Sequence, residues 1–243
     1  LWNQRIRRNW QCTGKIYIIV RIEAVYMAEI KICGLKIASD IDAVNLYEPE
    51  YVGMVMYFPK SSRNVTEELA KTLTTKIKPG INKVAVTVNP SLEQALVIKQ
   101  LGFDYIQIHG DVSQEVIDGI TLPVIRAVNI SENNSIGKFE KELEKLAVCN
   151  NIYGVLFDAG TPGSGRTFDW TSIGRIQETV RKSGLKLFLA GGLNEHNVSE
   201  AVSRVNPDVV DVSSGVEYDD LPSGSGKDAD KIKKFIENAR ILS

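Results

Sequence analysis

The chain has 243 residues, of which 43% are hydrophobic and 24% charged, with a formal net charge of −1. This balance is ordinary for a globular protein and gives no reason to expect nucleic acid or an anionic membrane as a partner. No apolar run approaches the roughly 20 residues that span a bilayer, and three scattered cysteines with two histidines predict neither a disulfide framework nor a structural metal site.

The first 26 residues differ from the rest, since they are basic and contain a single acid, Glu23. Two interpretations stay open: a targeting extension, or an artefact of where the sequence starts, with Met27 as the true start. The segment has no serine, and its apolar run Ile16–Val20 is short for a signal peptide, which favours the artefact. We expect residues 27–243 to form one domain in a reducing, cytoplasmic compartment.

From Met27 onward, short β-branched apolar runs alternate with longer amphipathic stretches. Continuous apolar character is typical of parallel strands that are buried on both faces. The predicted strands are Ile30–Cys33, Val52–Met56, Lys83–Val88, Tyr105–His109, Val124–Val128, Gly154–Phe157, Leu185–Ala190 and Val209–Val212. Eight strand–helix pairs predict an α/β protein, a single (βα)8 TIM barrel. An open doubly wound sheet also alternates in this way, but no G-x-G-x-x-G follows the first strand.

Helices are predicted between and after these strands. Thr66 before two glutamates, and Ser91 after Asn89-Pro90, are typical helix starts. The predicted helices are Asp40–Tyr47, Thr66–Lys76, Ser91–Leu101, Gln114–Gly119, Ser135–Cys149, Thr171–Lys182, Asn197–Val205 and Asp228–Arg240.

Two reactive groups follow predicted strands at the end where barrel enzymes carry their chemistry. Cys33 ends the first strand, and Asp158 follows the sixth and opens the glycine-rich loop 160–167. A thiol and a carboxylate at one rim are candidates for a general base and a general acid. Free cysteine is also a common packing residue, so position alone leaves both interpretations of Cys33 open. Asp169, a candidate helix cap, and Asp211, within a strand, compete as the carboxylate.

A working thiol base must be largely thiolate, so we expect the pKa of Cys33 to be lowered by positive charge, with Arg63 or Lys31 as candidates. Gly191-Gly192 and Ser213-Ser214-Gly215 follow the last two predicted strands. Loops in these two places commonly hold a phosphate group in barrel enzymes, and glycines let backbone N–H groups approach the anion. The pair of loops therefore predicts a phosphate site.

Several segments occur together in the order of one known family. They are Lys31–Gly34, Tyr57–Arg63, Val86–Asn89, Gln107–Gly110, Gly163–Trp170, Gly191–Asn194 and Asp211–Glu217. Each is weak alone, but the ordered set resembles phosphoribosylanthranilate isomerase of tryptophan biosynthesis and covers nearly everything from Ala28 to Ile241. The segment Tyr218–Gly226 departs from the family pattern, being longer and richer in acid and serine.

The resemblance implies an Amadori rearrangement of N-(5-phosphoribosyl)anthranilate that needs no metal or organic cofactor. By this resemblance Asp158 is the general acid, Cys33 the general base, and Arg63 the residue that holds the anthranilate carboxylate. The other expected substrate-binding residues are Gln107, His109, Gly191, Gly192, Ser213, Ser214 and Gly215. The expected partner is a small-molecule phosphosugar, without nucleic acid or membrane, and the chain is expected to be a monomer or a homodimer.

Two alternative functions agree less well with the sequence. The related histidine-pathway sugar isomerase uses two aspartates, whereas the first position here is Cys33. A non-catalytic phosphosugar-binding barrel is disfavoured because both Cys33 and Asp158 are present.

Overall fold

The computed structural model describes residues 27–129, 136–149, 151–158 and 170–241. Its strands all run parallel, and the first pairs with both the second and the last, so that the sheet closes into a barrel. The strands are β1 (Glu29–Ile32), β2 (Tyr51–Met56), β3 (Asn64–Val65), β4 (Asn82–Val88), β5 (Tyr105–His109), β6 (Val124–Asn129), β7 (Ile152–Asp158), β8 (Lys186–Ala190) and β9 (Val209–Val212). The predicted single (βα)8 barrel is confirmed.

The strand β3 was not predicted, because two residues are too few to give a sequence pattern. It pairs only with β2 and lies outside the closed ring of eight strands. Two boundaries at the rim also differ from the prediction. Cys33 lies one residue beyond β1, and Asp158 is the last residue of β7. The predicted leader 1–26, the loop 160–167 and Asp169 lie outside the described residues.

Helices follow the strands around the outside of the barrel. They are α1 (Ala38–Tyr47), α2 (Glu67–Thr74), α3 (Leu92–Gln100), α4 (Gln114–Gly119), α5 (Ile136–Ala147), α6 (Trp170–Ser183), α7 (Val198–Val205) and α8 (Ala229–Ala239), with a 3₁₀ turn at Ser214–Val216. Thr66, Ser91 and Asp228 each accept backbone N–H bonds at a helix start, as N-caps do. None of the helices in the described ranges is both long and apolar enough for a membrane span.

The side chains of each strand alternate between two cores. Ile30 and Ile32 face outward and join the larger core between strands and helices, whereas Lys31 and Cys33 belong to the barrel interior. At the amino-terminal ends of the strands the interior is filled by Tyr51, Tyr105, Tyr153 and Phe188, which we call the bottom layer. Its rings pack at centroid distances of 4.8–6.3 Å. The bottom layer therefore closes this end of the barrel interior.

Phe188 tests how far the barrel depends on the bottom layer. Its side chain is fully buried, with its ring 5.6 Å from that of Tyr51. We expect Phe188→Ala to lower the free energy of unfolding by about 3–5 kcal/mol, because it removes a packed ring and leaves a cavity. Urea denaturation measures this loss. The control Leu46→Ala, at a side chain that is 67% exposed, should change stability by less than about 0.5 kcal/mol. Equal effects would contradict the packing argument.

Candidate active site

The two predicted reactive groups lie at the same rim because the strands that carry them are parallel. Cys33 follows β1, and Asp158 ends β7, with β9 and β8 between them in the ring. Leu156 belongs to the interior core and Phe157 to the outer core, so strand alternation puts Asp158 on the inner face. The Asp158 residue is half-buried and takes part in interactions within the fold.

The backbone around Cys33 is tied to both neighbouring strands. The Cys33 N–H donates to the Val212 carbonyl at 2.8 Å, and the N–H groups of Gly34 and Leu35 both donate to the Gly53 carbonyl at 2.9 Å. Gly34 has a φ of 79°, a conformation that glycine adopts without strain. The thiol is thus held in a fixed position just beyond the strand.

Gly53 on β2 leaves room for the thiol. A Cβ at this position would lie 2.8 Å from Cys33 Sγ and 3.2 Å from Lys31 Nζ, closer than normal packing allows for the sulfur. The thiol and the ammonium are therefore neighbours over the same glycine. Lys31 Nζ in turn donates to both carboxylate oxygens of Asp211, at 3.0 and 2.9 Å. Asp211, a competing candidate acid, is thus a member of a buried ion pair.

The expected lowering of the thiol pKa is wrong for this structure. Burial raises the pKa of Cys33, and the Asp211 carboxylate adds to the rise. The charge of Lys31, a hydrogen bond from it, and the charge of Lys227 act in the opposite direction. The sequence suggested Lys31 as a source of charge, but it could not show how completely Cys33 is withdrawn from water.

Arg63 lies beside the thiol and is held by a carboxylate of the chain itself. Its Nε and Nη2 donate to the two carboxylate oxygens of Glu217 at 2.7 and 2.8 Å, the bidentate geometry of a strong pair. Arg63 Nη2 also donates to Ser223 Oγ at 2.7 Å. A Cβ on Gly34 would lie 2.6 Å from Arg63 Cδ and 2.9 Å from Ser213 Oγ. Arg63 therefore joins the first strand end to the last.

Lys227 is the third charged member of this network. Its side chain is fully buried, and its Nζ donates to Glu217 Oε1 and to the Ser213 carbonyl, both at 3.0 Å. Burial opposes the ionisation of Glu217, but Arg63 and Lys227 bring the pKa of that carboxyl down to about 2. Glu217 is thus ionised at neutral pH.

Gln107 and His109 point into the barrel from β5. Gln107 Nε2 lies 2.8 Å from His109 Nε2. Burial, with the charges of Lys31 and Arg126, lowers the pKa of His109 to about 4, so the ring is neutral at neutral pH. Gln107 Oε1 is buried, and no residue in the described ranges gives it a hydrogen bond. This oxygen is an acceptor available to a hydroxyl group of a ligand.

The two predicted phosphate loops are in direct contact. Gly191 and Gly192 follow β8 with φ angles of 97° and 64°, which favour glycine. A Cβ on Gly215 would overlap the carbonyl oxygen of Leu193, so the loop after β9 packs against the loop after β8. Ser213 and Ser214 lie in this same stretch, and the Lys227 ammonium donates to the Ser213 carbonyl. No group of three or more His, Cys, Asp or Glu side chains in the described ranges has the arrangement of a metal site.

Comparison with known proteins decides the family. The model of the N-(5'-phosphoribosyl)anthranilate isomerase family matches residues 30–238. The chain belongs to this isomerase family. The isomerase of that name from Clostridium kluyveri is 40% identical over 220 residues, which is 89% of this chain and 100% of the relative.

Solved isomerase structures agree with this assignment. The phosphoribosylanthranilate isomerase of Thermotoga maritima has 35% sequence identity and a TM-score of 0.74, covering 89% of this chain and 100% of that one. A phosphoribosylanthranilate isomerase in complex with reduced 1-(o-carboxyphenylamino)-1-deoxyribulose 5-phosphate has 33% identity and a TM-score of 0.72, with the same coverage. Both solved chains are thus matched over their whole length.

Two residues of this network, Glu217 and Lys227, were not predicted from the sequence. Glu217 closes the segment Asp211–Glu217, but nothing in that segment indicates its role. Lys227 follows Ser223-Gly224-Ser225-Gly226, a composition that is typical of an exposed loop. A lysine directly before a helix cap carries no signal that its side chain is buried. Only the contact with Glu217 reveals its place in the site.

Glu217→Gln tests whether the Arg63–Glu217–Lys227 network stabilises the rim. We expect the free energy of unfolding at pH 7 to fall by about 1.5–3 kcal/mol, since charge-assisted bonds to Arg63 and Lys227 are lost. The carboxyl pKa is lowered to about 2 in the fold, so its contribution is present above its ordinary pKa and disappears as the pH falls towards 2. Urea denaturation of both proteins from pH 7 to pH 2.5 measures this convergence.

A control variant is available at an exposed ion pair. Glu48 pairs with Lys78 at 2.6 Å, and its side chain is 61% exposed. Glu48→Gln should cost less than about 1 kcal/mol at any pH. A Glu217→Gln variant as stable as this control at pH 7 would contradict the role of the network.

Proposed function

We propose that the chain catalyses the Amadori rearrangement of N-(5'-phosphoribosyl)anthranilate to 1-(2-carboxyphenylamino)-1-deoxyribulose 5-phosphate, with Cys33 and Asp158 as its reactive groups. The proposal is supported by one observation above all: a thiol after β1 and a carboxylate at the end of β7 lie at the same rim of an isomerase-family barrel. The reaction belongs to tryptophan biosynthesis, and the chain is an enzyme.

In this mechanism Asp158 acts first, as general acid. It gives its proton to the furanose ring oxygen while the nitrogen lone pair of the substrate expels that oxygen from C1′, which forms a protonated Schiff base. The acid must therefore carry a proton in the enzyme–substrate complex, which burial of its carboxyl would favour. Its place on the inner face of β7 is consistent with this role.

Cys33 acts second, as general base. The thiolate removes the proton from C2′, and the electron pair forms the C1′–C2′ double bond of an enolamine and neutralises the nitrogen. Transfer of a proton to C1′ and loss of the hydroxyl proton at O2′ then give the ketone. Opposite pKa demands on two groups in one site are the usual pattern of acid–base catalysis.

Charged and glycine-rich elements at the rim would bind the substrate. Arg63 is proposed to hold the anthranilate carboxylate. Because its Nε and Nη2 already donate to Glu217 and Ser223, Nη1 is the nitrogen offered to the substrate. The touching loops at Gly191-Gly192 and Ser213–Gly215 are proposed to hold the phosphate through backbone N–H groups. Gln107 Oε1 and His109 are proposed to contact the ribose hydroxyl groups.

Turnover by the wild-type protein and two variants tests the proposal. We expect loss of anthranilate fluorescence as phosphoribosylanthranilate is consumed. Cys33→Ser and Asp158→Asn should each lower kcat by about 10²- to 10⁴-fold, because each removes one proton-transfer group. Circular dichroism and urea denaturation check that both variants are folded.

Matched controls separate loss of chemistry from loss of a residue type. Cys149→Ser changes a thiol near the end of α5, and Asp219→Asn changes an exposed carboxylate. Both should keep kcat within about twofold. A folded wild-type protein without turnover would refute the function, and a fully active Cys33→Ser would refute the assignment of the base. The cytoplasmic location and the choice between monomer and homodimer stay predictions.

A further inference from the structure

Lys31 is the most unusual charged residue of the barrel. It lies in the middle of β1, its side chain is 0% exposed, and its only described carboxylate partner is Asp211 on the neighbouring strand β9. Taking two ions out of water costs several kcal/mol per ion, so a buried pair is weak grounds for stability. An apolar pair of equal volume would fill this space at lower cost. The ion pair therefore calls for a reason other than packing.

The ion pair lies next to the Cys33 thiol. Lys31 Nζ and Cys33 Sγ lie 3.2 and 2.8 Å from the point where a Cβ of Gly53 would be, and Lys31 forms a hydrogen bond with the thiol, so the ammonium is next to the sulfur. Both side chains come from the same strand and face the barrel interior, two residues apart. A positive charge at this separation in a dry interior acts strongly on the ionisation of a thiol.

We propose that Lys31 is a positioning residue for the reaction: its ammonium stabilises the Cys33 thiolate, and Asp211 limits that effect by sharing the same charge. The proposal rests on the proposed function, in which Cys33 is the general base. Neither Lys31 nor Asp211 exchanges a proton with the substrate in this scheme. They set the fraction of Cys33 that can act.

Asp211 has two opposed effects in this arrangement. Its carboxylate keeps Lys31 protonated, since burial alone would favour the neutral amine, and the pKa of Lys31 is raised above its ordinary value. The same carboxylate repels a thiolate at Cys33 and helps to raise the thiol pKa. Once Asp211 is neutral, a Cys33 thiolate is still present to keep Lys31 charged, because its charge and its hydrogen bond also raise the pKa of Lys31. Removal of Lys31 and removal of Asp211 should therefore change the thiolate fraction of Cys33 in opposite directions. A purely structural ion pair gives no such opposition.

The other charged groups around the thiol have a smaller or no part. Lys227 also favours the thiolate, but it is bonded to Glu217 and Ser213. The Arg63 guanidinium donates two hydrogen bonds to the Glu217 carboxylate, which offsets its charge. His109 is neutral near neutral pH and adds no charge. Lys31 is thus the cation that acts most strongly on Cys33.

Alkylation of Cys33 tests the proposal without any need for turnover. Cys12→Ser and Cys149→Ser give a full-length protein in which Cys33 is the only thiol. The rate of its reaction with iodoacetamide is then followed by mass spectrometry from pH 6 to pH 10. Three further variants are made in this background: Asp211→Asn, the double variant Lys31→Met with Asp211→Asn, and Lys31→Arg.

We expect Asp211→Asn to speed alkylation at pH 7 and the double variant to slow it. A nearby charge changes the thiolate fraction by about tenfold or more. Because a less acidic thiolate is also more nucleophilic, this should appear as a change in rate of about threefold. Lys31→Arg should retain most of the wild-type rate, since it keeps the positive charge. The double variant avoids leaving an unpaired buried charge, which by itself could prevent folding.

A second ion pair in the same barrel gives the matched control. Lys186 pairs with Glu29 at 2.6 Å beside the bottom layer, at the first residues of strands β8 and β1 and far from the rim. Lys186→Met with Glu29→Gln should leave the alkylation profile of Cys33 unchanged, whatever it does to stability. Equal profiles in all the folded variants, or slowing by Asp211→Asn, would overturn the proposal.

The pH dependence of kcat/KM separates this proposal from the proposed function. If the protein turns over its substrate and the alkylation profiles are equal, only the role of Lys31 fails. If the profiles differ as expected and no turnover occurs, the isomerase function fails while the effect of Lys31 on the thiol stands. With both correct, the apparent pKa that Cys33 contributes to the pH profile of kcat/KM moves in the same direction as the alkylation profile in each variant.

Discussion

The site is organised by a conflict between burial and charge at one thiol. A closed barrel withdraws Cys33 from water, which favours the neutral thiol, while the proposed reaction needs the thiolate. Two buried cations near the sulfur, Lys31 and Lys227, favour the thiolate. Each cation then needs its own carboxylate, Asp211 for the first and Glu217 for the second. The thiol, its two cations and their two carboxylates together make the interior polar at this rim.

The same compensations connect distant parts of the sequence. Glu217 binds Lys227 and also the guanidinium of Arg63, so the loop after β2 is attached to the segment after β9. Barrel closure brings these segments together, because β1 pairs with both β2 and β9. Arg63, Cys33 and the loop after β9, which carry three of the proposed roles, therefore share one network. A change in any of its charges should be felt by the others.

The strands and the two proposed reactive groups could be predicted from the sequence, whereas the buried charge network could not. Apolar runs predicted the ring of eight strands, since burial on both faces leaves a clear pattern. Strand ends then gave Cys33 and Asp158 by position. Pairing partners such as Lys227 could not be found, because nothing in a glycine- and serine-rich stretch indicates a buried ammonium. The direction of the thiol pKa was also beyond reach, since it depends on solvent exclusion, which only the packed structure reports.

Gly53 gives this site a dependence on a residue without a side chain. Its α-carbon stands where the sulfur of Cys33 and the ammonium of Lys31 come together, and a single methyl group there would push against both. A chain with every proposed acid, base and binding group intact, but with alanine at this position, would look competent in a motif comparison. Its thiol would nevertheless have no room beside its cation. To judge whether a distantly related barrel is active, one should therefore check the residue at the position of Gly53 as well as the reactive residues.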